Sequence, residues 1–126
     1  MRDIYIDAAN MRRCKIDIGR VGENNACRLD FDLLHFLQQP QNASIKMTLW
    51  KPIQGEIEKT LTVTNGHAYY VVTSDDIGEN AGYGAIQIAA TQGNETVKSA
   101  IAQTNILPSL TERPLKVGKL DYMVLG

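Results

Sequence analysis

Along most of this chain, apolar and polar residues alternate over short runs. Cys14, Ile16 and Ile18 share one side of CKIDI, and Cys27, Leu29, Phe31 and Leu33 share one side of CRLDFDL. In SIKMTLW, Ile45, Met47 and Leu49 lie opposite Lys46, Thr48 and Trp50. A period of two marks a strand with one buried face. EIEKTLTV and HAYYVVT flank TNG, where Asn65 and Gly66 supply the two positive-φ residues of a tight hairpin turn. After the turn-rich SDDIGENAGYG, GAIQIAAT predicts a sixth strand, QGNE a second hairpin turn and TVKSAIAQTNI a seventh strand.

Helical alternatives are weaker. Pro40 stops any helix begun in FDLLHFLQQ within about two turns, leaving room for a short helical turn over 34–39. Gly82, Gly84 and Gly93 bracket AIQIAATQ, whose Ile86 and Ile88 keep the strand alternation. About seven short strands separated by turns predict an all-β fold, an antiparallel immunoglobulin-like β-sandwich. Leu29, Phe31, Leu33, Ile45, Met47, Leu49, Ile86 and Ile88 are its expected inward residues. Trp50 follows both cysteines, so the Cys…Trp…Cys order of antibody domains is missing. The sandwich is assigned to residues 1–110 and a C-terminal extension to 111–126.

A length of 126 residues fits one core that needs no metal or disulfide. With 44% hydrophobic residues, 21% charged residues and a net charge of −1, the chain has no general attraction for nucleic acid or an anionic membrane. No apolar run approaches the ~18 residues of a membrane helix, and MRDIYIDAANMRRCK lacks a secretory apolar stretch, so a soluble, unexported protein is expected. If GRVGENN closes a hairpin, Cys14 lies nearer Phe31 than Cys27, which favours reduced, buried thiols. His35 and His67 are remote in sequence from both cysteines, and no zinc spacing or other cofactor motif is present.

Asp30 and Asp32 share a strand face with Arg28 beside them, which raises the question of a catalytic carboxylate pair. Such a pair acts from opposite sides of a substrate, with one pKa raised by burial. Here the apolar neighbours claim the buried side, so both aspartates are expected in solvent, where replacement by Asn costs less than about 1 kcal/mol. Ser74, Asp75 and Asp76 near His67 suggest a nucleophile–base–acid set, but no nucleophile elbow surrounds Ser74. Asp75, Asp76, Glu79 and Asn80 offer oxygen ligands without the spacing of a calcium loop. AGYG does not join a strand to a helix as a phosphate-binding turn must. Of Tyr69 and Tyr70, adjacent on a strand, one is expected in the core. No catalytic residue is assigned, and the chain is not expected to be an enzyme.

From about residue 13 to 107 the order of features resembles the N-terminal domain of phage baseplate upper proteins. It comprises an opening strand, Arg28-Leu29-Asp30 after a polar loop, TLWKP, the strand pair around TNG, Gly82-Tyr83-Gly84, and a last hairpin at Gly93-Asn94. Leu29 stands where that family commonly has glutamine, and its members usually continue into a further region. The resemblance implies an immunoglobulin-like structural adaptor of a phage tail or baseplate, carrying host-binding components. It further implies other virion proteins as partners and a virion location after synthesis in the bacterial host cytoplasm, while the charge of −1 leaves neither nucleic acid nor membrane as an expected partner.

The extension holds Leu115, Val117, Leu120, Tyr122, Val124 and Leu125, more apolar groups than a solvated tail carries. They are expected to pack on the domain's own edge or to add as a strand to a neighbour, and the second outcome makes a homo-oligomer. A carbohydrate- or receptor-binding module is the alternative function. An aromatic content of 6% with one tryptophan weighs against it, since sugar platforms usually present several rings.

Overall fold

The computed structural model describes residues 1–53 and 55–109. Ten strands form two sheets: β1 (Arg2–Asp7), β2 (Lys15–Arg20), β3 (Cys27–Asp32), β4 (Ser44–Lys51), β5 (Gly55–Leu61), β6 (Val63–Thr64), β7 (His67–Val72), β8 (Gly82–Gln92), β9 (Glu95–Lys98) and β10 (Ala102–Leu107). A helical turn, α1 (Ser74–Ile77), and 3₁₀ turns at Ala8–Arg13 and Pro40–Asn42 complete the elements. The first sheet runs β1-β3-β7-β6, and the second runs β2-β10-β8-β4-β5 with β9 beside β8.

The inward faces of both sheets meet in one core. Ile6, Leu29, Phe31 and Val72 come from the first sheet, and Ile18, Ile45, Met47, Leu49, Ile86 and Ile88 from the second; all are at most 2% exposed. Every inward residue expected from the alternation, Leu33 included, is buried. The all-β assignment therefore stands, and the turn at Asn65 (φ 52°) and Gly66 (φ 79°) joins β6 to β7 as expected. The short helical turn expected over 34–39 lies at 33–37, where the Phe36 and Leu37 amides bond the Leu33 carbonyl.

The sheets are mixed rather than antiparallel. β1 lies parallel to β3, and β10 lies parallel to β2. GRVGENN closes no hairpin, because it carries the chain from β2 in one sheet to β3 in the other. The backbone of residues 21–26 is tied to three strand ends: Val21 N–H to the Leu107 carbonyl, Asn25 N–H to that of Val72, and the Ala26 carbonyl to Arg2 N–H. Cys14 and Cys27 are consequently parted and both free, Cys27 buried and Cys14 half-buried. Burial pushes both thiols above their ordinary pKa.

Two of the expected strands are split. EIEKTLTV leaves the second sheet after Leu61 and enters the first at Val63. TVKSAIAQTNI is interrupted at Ser99, where the same edge of β8 changes partner from β9 to β10: Ala89 pairs with Lys98 but Ile86 with Ala102, so one extra residue bulges out. Ser99 fills the gap in the ladder, its Oγ accepting from Ile88 N–H (3.1 Å) and donating to the Ala100 carbonyl (2.8 Å). The strand β1 was not among those expected, although RDIYID alternates in the same way.

Candidate functional site

The outward face of the first sheet gathers the residues that drew attention in the sequence. Register places Asp3, Arg28 and Val71 in one row across β1, β3 and β7; Tyr5, Asp30 and Tyr69 in the next; and Asp7, Asp32 and His67 in the third. Contacts link these rows. Arg28 forms a bidentate ion pair with Asp3 (2.7 and 3.3 Å), and its guanidinium lies 4.5 Å over the Tyr69 ring. The guanidinium hydrogen bond holds the Asp3 carboxyl below its ordinary range. His67 Nδ1 lies 2.6 Å from Asp30 Oδ1, and its ring stacks on Tyr69 with centroids 6.0 Å apart.

Both aspartates depart from the expectation of solvated carboxylates: the Asp30 side chain is 19% exposed beside His67, and Asp32 is only 8% exposed. Its Oδ2 accepts the Tyr5 hydroxyl at 2.5 Å and its Oδ1 the Leu34 amide at 3.0 Å. The partner that covers it comes from β1, the strand not foreseen. These two bonds, the phenol first, hold the Asp32 carboxyl below its ordinary range. That is the wrong direction for a general acid, and each aspartate is engaged by its own partner rather than facing the other across a gap.

The remaining candidates are parted or turned inward. His67 begins β7 and Ser74 follows its far end, so they are separated by about the length of a six-residue strand, roughly 17 Å. Ser74 N–H bonds Asn24 Oδ1 at the start of α1. Asp76, only 2% exposed, accepts from the Tyr70 hydroxyl (2.5 Å), Thr73 N–H (2.8 Å) and Thr73 Oγ1 (3.0 Å). It closes a capping box with Thr73, the N-cap of α1. Asp75 and Glu79 stay exposed. Among the described residues, no three acidic, histidine or cysteine side chains gather where a metal ion could be held. Tyr70 is the tyrosine packed against the core, as the alternation required. Leu115, Val117, Leu120, Tyr122, Val124 and Leu125 lie outside the described residues.

The second sheet carries a surface that sequence reasoning missed. Two adjoining cavities open on its outward face, of about 320 and 220 Å³, sharing Thr48 and Gln87. The larger is polar, with Lys46 and Lys98 on its sides; the smaller is apolar, walled by Trp50 and Ile101, which are 59% and 58% exposed. Gly82-Tyr83-Gly84 opens β8 beside this end of the groove, where a Cβ on Gly84 would collide with the Trp50 carbonyl oxygen.

Among solved structures, this fold is similar to the N-terminal domain of phage TP901-1 ORF48. The superposition has a TM-score of 0.51 and covers 85% of this chain and 96% of that one, at 10% sequence identity. At that identity the likeness concerns the fold. No family model matches the sequence, and no curated protein matches it.

Proposed function

We propose that this chain is a structural protein of a phage virion, placed in the tail or baseplate, where it acts as a non-enzymatic assembly adaptor for host-binding components. The observation that carries the reading is the likeness to a phage domain along 96% of that domain's length. Feature order from residue 13 to 107 suggests a phage baseplate protein without using that likeness. On this reading the two mixed sheets are an immunoglobulin-like sandwich whose parallel β1–β3 and β2–β10 pairs are additions to the antiparallel frame. The carboxylates of the first sheet's outer face are engaged in internal hydrogen bonds and ion pairs rather than poised as a catalytic pair, which supports the non-enzymatic part of the reading. Other virion proteins are the partners, and the 111–126 extension joins copies of the chain.

Mass spectrometry of gradient-purified particles, induced from the strain that carries the gene, tests this reading. Recovery of the chain in constant proportion to the other tail proteins is expected. Its absence from particles whose tails are otherwise complete overturns the proposal.

A further inference from the structure

We infer that the groove across the outer face of the second sheet binds an acidic saccharide, a sugar chain bearing carboxylate or phosphate groups. The site is built from three cross-strand rows. In one, Ala89 on β8 lies between Lys46 on β4 and Lys98 on β9. In the next, Thr48 is paired with Gln87, and Glu58 stands beyond Thr48 on β5. In the third, Ala85 lies between Trp50 and Gln103. Small side chains thus occupy the middle strand in the outer two rows, and longer ones stand on either side. This height difference makes a trough on a sheet face that would otherwise be flat.

Chemistry changes along the trough. At one end Trp50 and Ile101 flank the methyl of Ala85, an apolar wall with a ring against which the C–H face of a sugar can pack. In the middle, Gln87 Nε2 donates to the Ser99 carbonyl at 2.7 Å, which fixes the amide and leaves its Oε1 to accept from a sugar hydroxyl. At the other end two ammonium groups flank Ala89, on strands about 10 Å apart. Neither lysine makes an ion pair among the described residues, where Arg28–Asp3 and His67–Asp30 are the ion pairs found. An anionic group seated over Ala89 would complete that end. Lys46 and Trp50 are four residues apart on β4, about 13 Å, which leaves room for a short oligosaccharide spanning both ends.

Single-stranded nucleic acid also combines phosphate with a stacking ring, but it is held by several aromatic platforms in a basic channel. Here the wall carries Glu58 and the whole chain has a net charge of −1, which suits no channel that tracks a phosphate backbone; one tryptophan is also too few for the several-ring platform of a neutral sugar, so the lysine pair supplies the contact that further rings would give. The saccharide site rests on the groove alone and holds whether or not the chain is a virion adaptor.

The test applies the full 126-residue chain to a glycan array displaying uronic acid, sialic acid and phosphorylated oligosaccharides beside neutral ones, with oligothymidylate as a control. Retention on acidic members is expected. It should weaken by roughly tenfold or more in Trp50→Ala and in the Lys46→Gln/Lys98→Gln double variant, and be unchanged in Arg28→Gln on the opposite sheet. Because Trp50 is the only tryptophan, titration with a soluble form of the bound glycan should change the intrinsic fluorescence in a saturable way. The three groove positions are solvent-facing, and thermal melts identify any variant that fails to fold. No binding to acidic glycans, equal binding to neutral ones, preference for oligothymidylate, or binding that survives Trp50→Ala overturns the inference.

Discussion

The hydroxyl of Tyr5 donates to Asp32 at 2.5 Å across the parallel pair β1–β3, tying the first strand to the third through their outward side chains. Asp32 also accepts the Leu34 amide, which starts the turn leading out of β3. Replacing Asp32 by Asn sets an amino group against one of these two donors. A loss of about 1–3 kcal/mol is expected, rather than the negligible change of a solvated residue. Urea titration checks this, with Asp30→Asn measured alongside.

The same bond sets two pH dependences. A carboxyl whose folded pKa is lowered contributes stability that is complete above the unfolded value near 4 and is lost as pH falls through the folded one. The stability difference between the wild type and Tyr5→Phe should therefore be larger at neutral pH than in acid. For Tyr5 the sign reverses, because its pKa is pushed up to about 12, chiefly by the Asp32 hydrogen bond. Its contribution is complete below about 10 and is lost as pH rises through 12. Ultraviolet titration of phenolate should show Tyr5 ionising late, and earlier in Asp32→Asn.

Asp76→Ala removes the acceptor shared by Thr73 and Tyr70. It breaks the capping box and leaves a half-buried phenol without its partner. Together these should cost about 2–4 kcal/mol in chemical denaturation. An unchanged midpoint would show that the box adds nothing to the corner after β7.

At Gly84, an alanine methyl would meet the Trp50 carbonyl and, at 2.9 Å, the Thr104 hydroxyl. Backbone does not yield as a side-chain tip would, so Gly84→Ala should lose about 1–3 kcal/mol and shift the Trp50 fluorescence. Gly93 has open space around its Cβ position but a φ of +59°, so alanine there reports backbone strain without a collision and separates the two effects.

How far the sequence reached is visible in particular residues. Ile45, Met47 and Leu49 alternate with Lys46, Thr48 and Trp50, and the structure buries the first set and exposes the second or leaves it half-buried, because a period of two fixes which side of a strand is apolar. It does not fix the neighbour. The hydrophobic pattern of CKIDI and CRLDFDL is satisfied equally by a hairpin or by strands in separate sheets, and the ties of 21–26 to Leu107, Val72 and Arg2 are long-range. Thr62 carries no mark of a chain changing sheets, and Ser99 gives no sign that its hydroxyl replaces a ladder bond. Asp32 looked solvated because its cover, Tyr5, comes from a strand 27 residues earlier. The groove was illegible for the same reason: Ala89 separates Lys46 from Lys98 through register alone.

The extension should govern association. Six apolar side chains supply roughly 1.5–3 kcal/mol each when fully buried, enough to outweigh the ordering of the segment. Light scattering on the full chain should report a closed homo-oligomer, and on a chain ending at Leu110 a monomer. A full-length monomer contradicts the oligomer, and an oligomer that survives truncation moves the contact elsewhere.

The most direct test of the phage assignment is immunogold electron microscopy of intact particles from the induced strain, using antibody raised against the purified chain. Label clustered at the tail's distal end, in several copies per particle, is the predicted result. Particles that carry the complete tail and take no label there would contradict the account.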